Sequence, residues 1–394
     1  MHQIERAVFD LRRGMPVVIT SANEHETPVL VWPLEAIGGV NWSGWLDQGA
    51  GQAALVLTRH RLAALGHKFR AEAACLPLTG KALPSPDELY RLASEDGAAP
   101  DQRFDSPRPA GAAERGALAL MRRALLVPAA LTVRVDNSRL ERLGAAVSQG
   151  QILRVEAADA LRCFELSGGL VRRVSEADIP LAEAAHTRFI LFREPDGLRE
   201  HIAICIGQRD AWSDAVPLRL HSACLTGDLF GSLRCDCGEQ LRNGVATIER
   251  LGGGVLLYLA QEGRGIGLAN KLRAYTLQDQ GHDTVDADQV LGFGEDERRY
   301  GVAVDMLAEL NISRVRLLTN NPTKMKALAD GGIEVVSREG LYGQVTEQNR
   351  RYLSAKANRS GHLLDEVLSS STCGAGRGKK EERRGNTAPL VSHR

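Results

Sequence analysis

The sequence lacks any long hydrophobic run and any excess of charge of one sign. No segment keeps about 18 apolar residues in a row, the length that a membrane-spanning helix needs. Lysine and arginine total 49, as do aspartate and glutamate, so no overall field would attract nucleic acid or an anionic membrane. The first residues have no apolar core of the signal-peptide type. We therefore expect a cytoplasmic protein without nucleic-acid or membrane partners.

The composition is sufficient for two globular α/β domains. The 394 residues are 43% hydrophobic, and a chain of this length usually divides into more than one core. Helical periods alternate with short β-rich runs, which indicates two domains, each a mixed β-sheet with packed helices. We expect a first domain over residues 1–175, a second over 180–368 and a disordered, glycine-rich polar tail over 369–394.

Three of the seven cysteines fall within fourteen residues, at Cys224, Cys235 and Cys237. One loop can bring three such sulfurs together, and three thiolates leave the fourth tetrahedral position of a zinc ion open for water, as in catalytic sites. The alternatives are a disulfide, inert buried thiols or a structural zinc completed by His221. A bridge between residues two apart would be badly strained. The remaining cysteines are scattered and are expected to be reduced: Cys75, Cys163, Cys205 and Cys373.

The first domain opens with a helix and a strand. Apolar residues share one face of a helix over residues 4–13, Gly14 ends it, and residues 16–20 form a β-rich run. Further on we expect strands over 54–58, 130–135 and 152–155, helices over 61–65 and 116–126, and a long surface loop over 95–116. These residues alone do not indicate a function.

In the second domain, a predicted hairpin is followed by a buried strand that leads into a glycine-rich loop. Strands over 189–192 and 201–206 are expected to pair across Pro195-Asp196-Gly197. A buried strand over 255–260 leads into 261–267, where three alternating glycines and Arg264 precede a helix. Such a loop suits phosphate, but it matches neither the Walker nor the dinucleotide pattern, so a plain tight turn stays open.

A second strand–loop–helix unit follows near residue 320. A strand over 315–318 leads into Thr319-Asn320-Asn321, and Pro322 occupies a first helical position. Thr319 and Lys324 would then flank a helix N-terminus at the end of a strand, where α/β proteins commonly bind ligands. The charged run at 292–300 is, by itself, typical of a solvated helix start.

Taken together, these motifs resemble GTP cyclohydrolase II over about residues 180–368. The matching stretches are His221–Gln240, Gln261–Gly267, Asn270–Tyr275, Gln278–Thr284, Asp296–Arg298, Leu318–Pro322, Asn349–Leu353 and Gly361–Leu364. Enzymes of that family open the imidazole ring of GTP, release formate and pyrophosphate, and supply the first pyrimidine intermediate of riboflavin biosynthesis.

The resemblance implies a ligand set and catalytic roles. Cys224, Cys235 and Cys237 would hold one zinc, magnesium would accompany the GTP phosphates, and the protein would be a homodimer. The catalytic residues implied are Tyr275 as a donor, Asp296 as a proton acceptor and Arg298 at the α-phosphate. Arginine stays cationic, so we expect Arg298 to stabilise charge rather than to attack phosphorus.

The resemblance also implies a substrate-binding set. Its members are Arg219, Leu220, His221, Ser222, Ala223, Gln240, Glu262, Gly263, Arg264, Thr284, Thr319 and Lys324. The amide of Gln240 and the carboxylate of Glu262 suit the guanine edge, because a carboxylate can accept from N1–H and the 2-amino group together. Ala223 departs from the acid or amide expected before the first cysteine, so only a backbone contact is expected at this position.

Residues 4–37 resemble the start of 3,4-dihydroxy-2-butanone 4-phosphate synthase, in which a dense acidic loop holds magnesium. Residues 21–26 keep only two carboxylates and one imidazole, at Glu24, His25 and Glu26. These three side chains form either a solvated turn or a weak metal site. We therefore expect a degenerate, catalytically inactive domain.

Two alternatives to a complete cyclohydrolase stay open. One is a non-catalytic GTP-binding zinc module, and the other is a cyclohydrolase that stops at the formamidopyrimidine. The presence of Tyr275, Asp296 and Arg298 beside all three cysteines argues against the first, because a binding module does not need hydrolytic groups.

Overall fold

The structure is a computed structural model that describes residues 2–23, 26–35, 53–79, 84–165 and 171–341. The expectations for Glu24, His25 and Cys373, for the last cyclohydrolase segments over 342–368 and for the tail lie outside these ranges. The described helices are α1 His2–Arg12, α2 Arg59–Ala64, α3 Pro86–Ser94, α4 Ala112–Arg123, α5 Asn137–Ser148, α6 Ala157–Glu165, α7 Leu225–Asp228, α8 Cys237–Arg250, α9 Leu268–Asp279, α10 Thr284–Val290, α11 Gly301–Glu309 and α12 Pro322–Asp330.

Fourteen described strands form two sheets of seven. They are β1 Val17–Thr20, β2 Val29–Pro33, β3 Ala53–Thr58, β4 Ala73–Pro77, β5 Arg108–Pro109, β6 Ala129–Arg134, β7 Leu153–Glu156, β8 Arg172–Asp178, β9 Thr187–Arg193, β10 Glu200–Ile206, β11 Val216–Ser222, β12 Gly254–Leu259, β13 Arg314–Leu318 and β14 Glu334–Glu339. The strand orders are β5-β4-β3-β6-β2-β1-β7 and β14-β13-β11-β12-β10-β9-β8. The prediction of two mixed sheets with packed helices is confirmed.

The first sheet is covered on both faces because its central strands are apolar at nearly every position. Alternate residues face opposite sides of a strand, so Val17 and Ile19 pack with α1, α4 and α6, while Val18 packs toward Leu62 of α2 and Leu89 of α3. The second sheet is built in the same way. Leu218 and its neighbours pack with α11 on one face, and Leu256 packs with α8 on the other.

Most expected elements are present, and the differences have local causes. The loop expected over 95–116 is shorter, because α4 starts at Ala112, where the Glu114 carboxylate accepts from the Gly111 N–H at 2.5 Å. The pattern did not predict β4, α3 or β8. All seven residues of β8 are exposed, so it lacks the apolar alternation that indicates a strand, yet it pairs with β9 at the edge of the second sheet. The hairpin β9–β10 forms as predicted.

The state of the cysteines and the lengths of the helices complete the description of the fold. The six cysteines in the described ranges are all free thiols. None of the helices in these ranges is long and apolar enough to cross a membrane.

Candidate active site and metal centre

The site is a cavity at the carboxyl ends of three parallel strands. Strand β11 lies between β12 and β13 and runs parallel to both. The chain goes from β11 to β12 and then returns past β11 to β13, so the loops after these strands separate there and leave a crevice. The cavity contains about 1300 Å³ of empty space, including its open mouth.

Seventeen of the eighteen predicted site residues line this cavity. They are Arg219, Leu220, His221, Ser222, Ala223, Cys224, Cys235, Cys237, Gln240, Glu262, Gly263, Arg264, Tyr275, Thr284, Arg298, Thr319 and Lys324. The exception, Asp296, is not a lining residue. Its carboxylate lies against Arg298, accepting from Nε at 2.8 Å and from Nη2 at 2.5 Å. Burial opposes ionisation of Asp296, but the Arg298 hydrogen bonds outweigh it and lower the pKa.

The three thiols converge at a spacing that suits a metal ion. Their sulfurs lie within 4.8 Å of one another, and Cys224 Sγ is 3.7 Å from Cys235 Sγ. Two thiolates bound tetrahedrally to zinc at about 2.3 Å would have sulfurs roughly 3.8 Å apart. The spacing therefore fits zinc and is far too long for a disulfide bond.

Gly227 makes room for this group of thiols. A β-carbon at that position would lie 2.7 Å from Cys235 Sγ, closer than such contacts allow, and 3.1 Å from Cys224 Sγ, which is tight. Any side chain here would displace the sulfurs, so the requirement for glycine is steric.

His221 belongs to a different group of side chains. Its Nε2 lies 3.1 Å from Asp228 Oδ1, and its ring stacks on Tyr258. Asp228 also accepts from the Cys224 backbone N–H at 2.9 Å and from the Tyr258 hydroxyl at 3.0 Å. Asp228 thus holds both the first cysteine and His221, and the structure gives no support to a zinc completed by His221. Sequence reasoning missed Asp228, although it lies only four residues after Cys224.

Lys271 is a second residue that sequence reasoning did not assign. Its Nζ lies 3.1 Å from Cys224 Sγ, 2.9 Å from Thr226 Oγ1 and 2.7 Å from Glu262 Oε1. Burial alone would lower the pKa of Lys271, but Glu262 and Cys224 outweigh burial and raise it, so the ammonium is retained. The sulfur contacts and Lys271 lower the pKa of Cys224, which favours the thiolate that a metal requires.

The two residues expected at the guanine edge already have partners within the protein. Gln240 Oε1 accepts from Arg219 at 2.7 Å, and its Nε2 donates to Asp236 at 2.5 Å. Glu262 Oε2 accepts from the Leu225 N–H at 2.6 Å, in addition to the Lys271 contact. Both side chains lie in the cavity, but base recognition by either would require an exchange or sharing of these hydrogen bonds.

The glycine loop after β12 forms a tight 3₁₀ turn followed by α9. Gly263 and Arg264 both have left-handed backbone conformations, with φ of 61° and 60°. The side chain of Arg264 donates to Asp288 Oδ2 at 2.8 Å, which ties the turn to α10. Burial raises the pKa of Asp288 to about 7, although Arg264 opposes this shift.

The charge balance of the cavity favours an anionic ligand. Five basic side chains line it, Arg219, Arg264, Lys271, Arg298 and Lys324, against the two carboxylates of Glu262 and Asp288. Burial lowers the pKa of Arg219 only to about 10, so it stays cationic at neutral pH. Lys324 Nζ donates to the Leu220 carbonyl at 2.7 Å, near the start of α12.

Fold and site together define an α/β protein with three cysteines at metal-ligand spacing inside a cavity that has more basic than acidic side chains. Residues 172–340 match the family model described as GTP cyclohydrolase II. GTP cyclohydrolase-2 of Xylella fastidiosa (strain 9a5c) is 41% identical over 364 residues, 92% of this chain and 87% of that protein. GTP cyclohydrolase-2 of Azospirillum brasilense is 42% identical over 375 residues, 92% of this chain and 94% of that protein. This chain therefore belongs to the GTP cyclohydrolase II family, and it is a hydrolase.

Two further likenesses cover different parts of the chain. The riboflavin biosynthesis protein RibBA of Bacillus cereus (strain AH187) is 53% identical over 167 residues, 42% of each chain. A crystal structure of a two-domain 3,4-dihydroxy-2-butanone 4-phosphate synthase from A. baumannii covers 86% of this chain and 99% of its own, at 16% identity and a TM-score of 0.32. That score is too low to support a conclusion.

Proposed function

We propose that this protein hydrolyses GTP, opening the imidazole ring and releasing formate and pyrophosphate. The product would be 2,5-diamino-6-(5-phosphoribosylamino)pyrimidin-4(3H)-one, and its formation would be the first step of riboflavin biosynthesis. The observation that carries this proposal is the presence, in one cavity, of three thiols at zinc spacing and five basic side chains. Family membership supports the same reaction.

Cys224, Cys235 and Cys237 would hold one zinc ion, which when bound supplies the Lewis acidity that makes water nucleophilic near neutral pH. Tyr275 lies beside this group, with Lys271 Nζ 5.6 Å from its ring centroid. Burial raises the pKa of Tyr275, so it remains a phenol that can donate a hydrogen bond as the ring opens.

At the other end of the substrate, Arg298 would stabilise the charge that develops when pyrophosphate leaves. Asp296 aligns the Arg298 guanidinium through its hydrogen bonds. It is also the proposed proton acceptor, a role in which its carboxylate would exchange a contact with Arg298 for one with the substrate. Arg264, Thr319 and Lys324 would hold the phosphates together with magnesium.

The guanine base would be held near the glycine loop and α8. Gln240 and Glu262 are the proposed residues that recognise the base. Each would exchange one of its hydrogen bonds within the protein for a hydrogen bond to the guanine edge. Arg219, His221, Ser222, Gly263 and Thr284 complete the proposed substrate contacts, with Leu220 and Ala223 contributing backbone groups. A backbone contact at Ala223 would survive the loss of an acid or amide side chain there.

We also propose the organisation of the whole chain. The first domain, over 1–175, would be a degenerate synthase-like domain without its own activity, and residues 180–368 would form the cyclohydrolase domain. The protein would work as a cytoplasmic homodimer.

The decisive experiment is mass analysis of products after incubation of metal-replete protein with GTP, with ATP in a parallel reaction. We expect formate, pyrophosphate and the diaminopyrimidine from GTP and no comparable turnover of ATP. Accumulation of a formamidopyrimidine would show early arrest. GTP binding without any product would favour the non-catalytic module, and equal turnover of ATP would contradict the roles of Gln240 and Glu262.

A further inference from the structure

The helix that carries Lys271 and Tyr275 is held from its other side by the first domain. Asn270, which is fully buried, donates from Nδ2 to the Leu125 carbonyl at 3.1 Å and to the Ile266 carbonyl at 2.9 Å. Residues three or four apart share a helix face, so Asn270 and Arg273 form one face of α9 while Lys271 and Tyr275 form another.

Arg273 extends this contact into the first domain. It donates to Asn270 Oδ1 at 2.6 Å and to Glu35 Oε2 at 2.9 Å. Glu35 is itself fixed, because its Oε1 accepts from the Val127 N–H at 2.6 Å. Two residues of the first domain, Leu125 and Glu35, therefore hold α9 through these hydrogen bonds.

The first domain also contacts the segment of the chain that leads to Asp296 and Arg298. Thr58, at the end of β3, donates from Oγ1 to the Gly292 carbonyl at 2.6 Å. Arg61 of α2 donates from Nη1 to the Val290 carbonyl at 2.9 Å and from Nε to the Leu92 carbonyl at 2.9 Å. Gly292 begins the segment that leads to Asp296 and Arg298.

The contacts of Thr58 and Arg61 are buried, so losing one leaves an orphaned polar group. Thr58 and Arg61 are each 1% exposed, and water cannot easily replace their partners. Close packing reinforces the hydrogen bonds: a β-carbon on Gly267, at the start of α9, would lie 3.2 Å from the β-carbon of Leu125.

We propose that the first domain is a clamp that positions α9 and the segment 292–298 for the reaction of the second domain. This inference rests on the proposed function, and it assigns a role to a domain whose own catalytic loop is reduced. Thr58, Arg61 and Glu35 act as positioning residues, because none of them lines the site cavity. The two GTP cyclohydrolase-2 relatives that align over 92% of the chain include most of this domain.

The test compares two threonines in the full-length protein. Thr58→Val removes the hydroxyl that donates to the Gly292 carbonyl and that also accepts from the Arg61 N–H at 3.3 Å, at the start of α2. Thr132→Val removes a similarly buried hydroxyl that donates to the Ala54 carbonyl at 3.1 Å, within the first domain. Thr58→Ser keeps the hydroxyl and serves as the rescue. Zinc content and thermal midpoint are measured for each variant, together with kcat and KM for pyrophosphate and formate release.

We expect Thr58→Val to lower kcat for pyrophosphate release about tenfold, the effect of about one lost hydrogen bond on a barrier. Zinc content should not change, and Thr58→Ser should restore the rate. Thr132→Val should retain the wild-type kcat even if its thermal midpoint falls. Glu35→Gln, which weakens the contact with Arg273, should lower formate release instead.

Equal kcat values for Thr58→Val and Thr132→Val, per zinc-loaded folded protein, would overturn the clamp. If the wild-type protein released no formate, the proposed function would be wrong. The wild-type protein is therefore assayed first, before any variant. Hydrogen exchange then tests the clamp separately: Thr58→Val, but not Thr132→Val, should speed exchange in segment 292–298. Unchanged exchange there would also overturn the inference.

Discussion

Lys271 Nζ lies 3.1 Å from Cys224 Sγ, so an ammonium group directly contacts one of the three thiols. Three thiolates around a divalent zinc would leave one net negative charge, and the Lys271 ammonium, which also pairs with Glu262 at 2.7 Å, would lie against it. A hydrogen bond to a thiolate also reduces the electron density that it gives to the metal, which preserves the metal's Lewis acidity. The structure thus places against the thiols a cationic side chain that the sequence alone did not indicate.

Replacing Lys271 by methionine should keep the length of the side chain and remove its charge. We expect Lys271→Met to lower formate release by about 10²-fold, the usual cost of one preorganised charge. Zinc affinity should fall by about tenfold or more, as for other residues that support metal ligands. Lys326→Met is the control, because Lys326 makes an exposed pair with Asp330 on α12. Wild-type formate release by Lys271→Met would show that the contact has no role in turnover.

Removing one thiol should remove the metal. We expect purified wild-type protein to carry about one zinc per chain and Cys235→Ser to lose both zinc and formate release, because two thiols hold the ion far less well than three. Cys205→Ser is the matched control, since burial raises the pKa of Cys205 to about 11 and it lies away from the thiol group. The measurements are metal analysis and product formation. An active preparation without metal would contradict the zinc assignment.

The two chemistries of the site should be separable by mutation. We expect Arg298→Ala to lower pyrophosphate release by about 10²–10³-fold, because a charge-stabilising donor is lost at the α-phosphate. Cys224→Ser should release no formate, whereas its pyrophosphate release should persist. Simultaneous assays of both products check this, with Arg242→Ala, at an exposed position on α8, as the control. If Arg298→Ala kept the wild-type rate, Lys324 with magnesium would be the better candidate.

The contact between the domains should depend on pH through Glu194. Burial opposes its ionisation, but His201, Arg123 and Arg199 outweigh burial and lower its pKa from 4.5 to about 2. A carboxyl whose pKa is lower in the folded state stabilises the protein above its unfolded pKa, and that stabilisation is lost as pH falls from 4.5 towards 2.

Glu194→Gln should therefore be less stable than the wild type at pH 7, by roughly 3 kcal/mol. The difference should shrink as pH falls below 4.5. Denaturant unfolding at a series of pH values measures it. Glu200→Gln is the control, because Glu200 makes an exposed pair with Arg193 on the neighbouring strand. A difference that did not change with pH would mean that the ionised carboxylate is not the stabilising form.

The first domain should have no synthase activity of its own. Its loop over residues 21–26 has two carboxylates and one imidazole, fewer acidic groups than we expect a magnesium site on a sugar phosphate to need. We expect no dihydroxybutanone phosphate from ribulose 5-phosphate with added magnesium. Detection of that product by mass analysis would place a working metal site in this domain.

The features that the sequence alone determined are those that depend on a few neighbouring residues. The spacing of Cys235 and Cys237 predicted the thiol group, and the continuous apolar run of β12 with the glycines after it predicted the turn beside the cavity. Exposed β8 was not predictable in this way, because its pairing with β9 rather than its own pattern makes it a strand.

Tertiary structure decided the contacts between distant parts of the chain. Lys271 and Cys224 are 47 residues apart, and Thr58 and Gly292 are 234 apart, so no local period relates either pair. The same holds for Asp296, whose place in the site was expected but whose carboxylate faces Arg298 rather than the cavity. Propensity and spacing act within a few residues, whereas the two sheets and the packing between them determine which distant side chains meet.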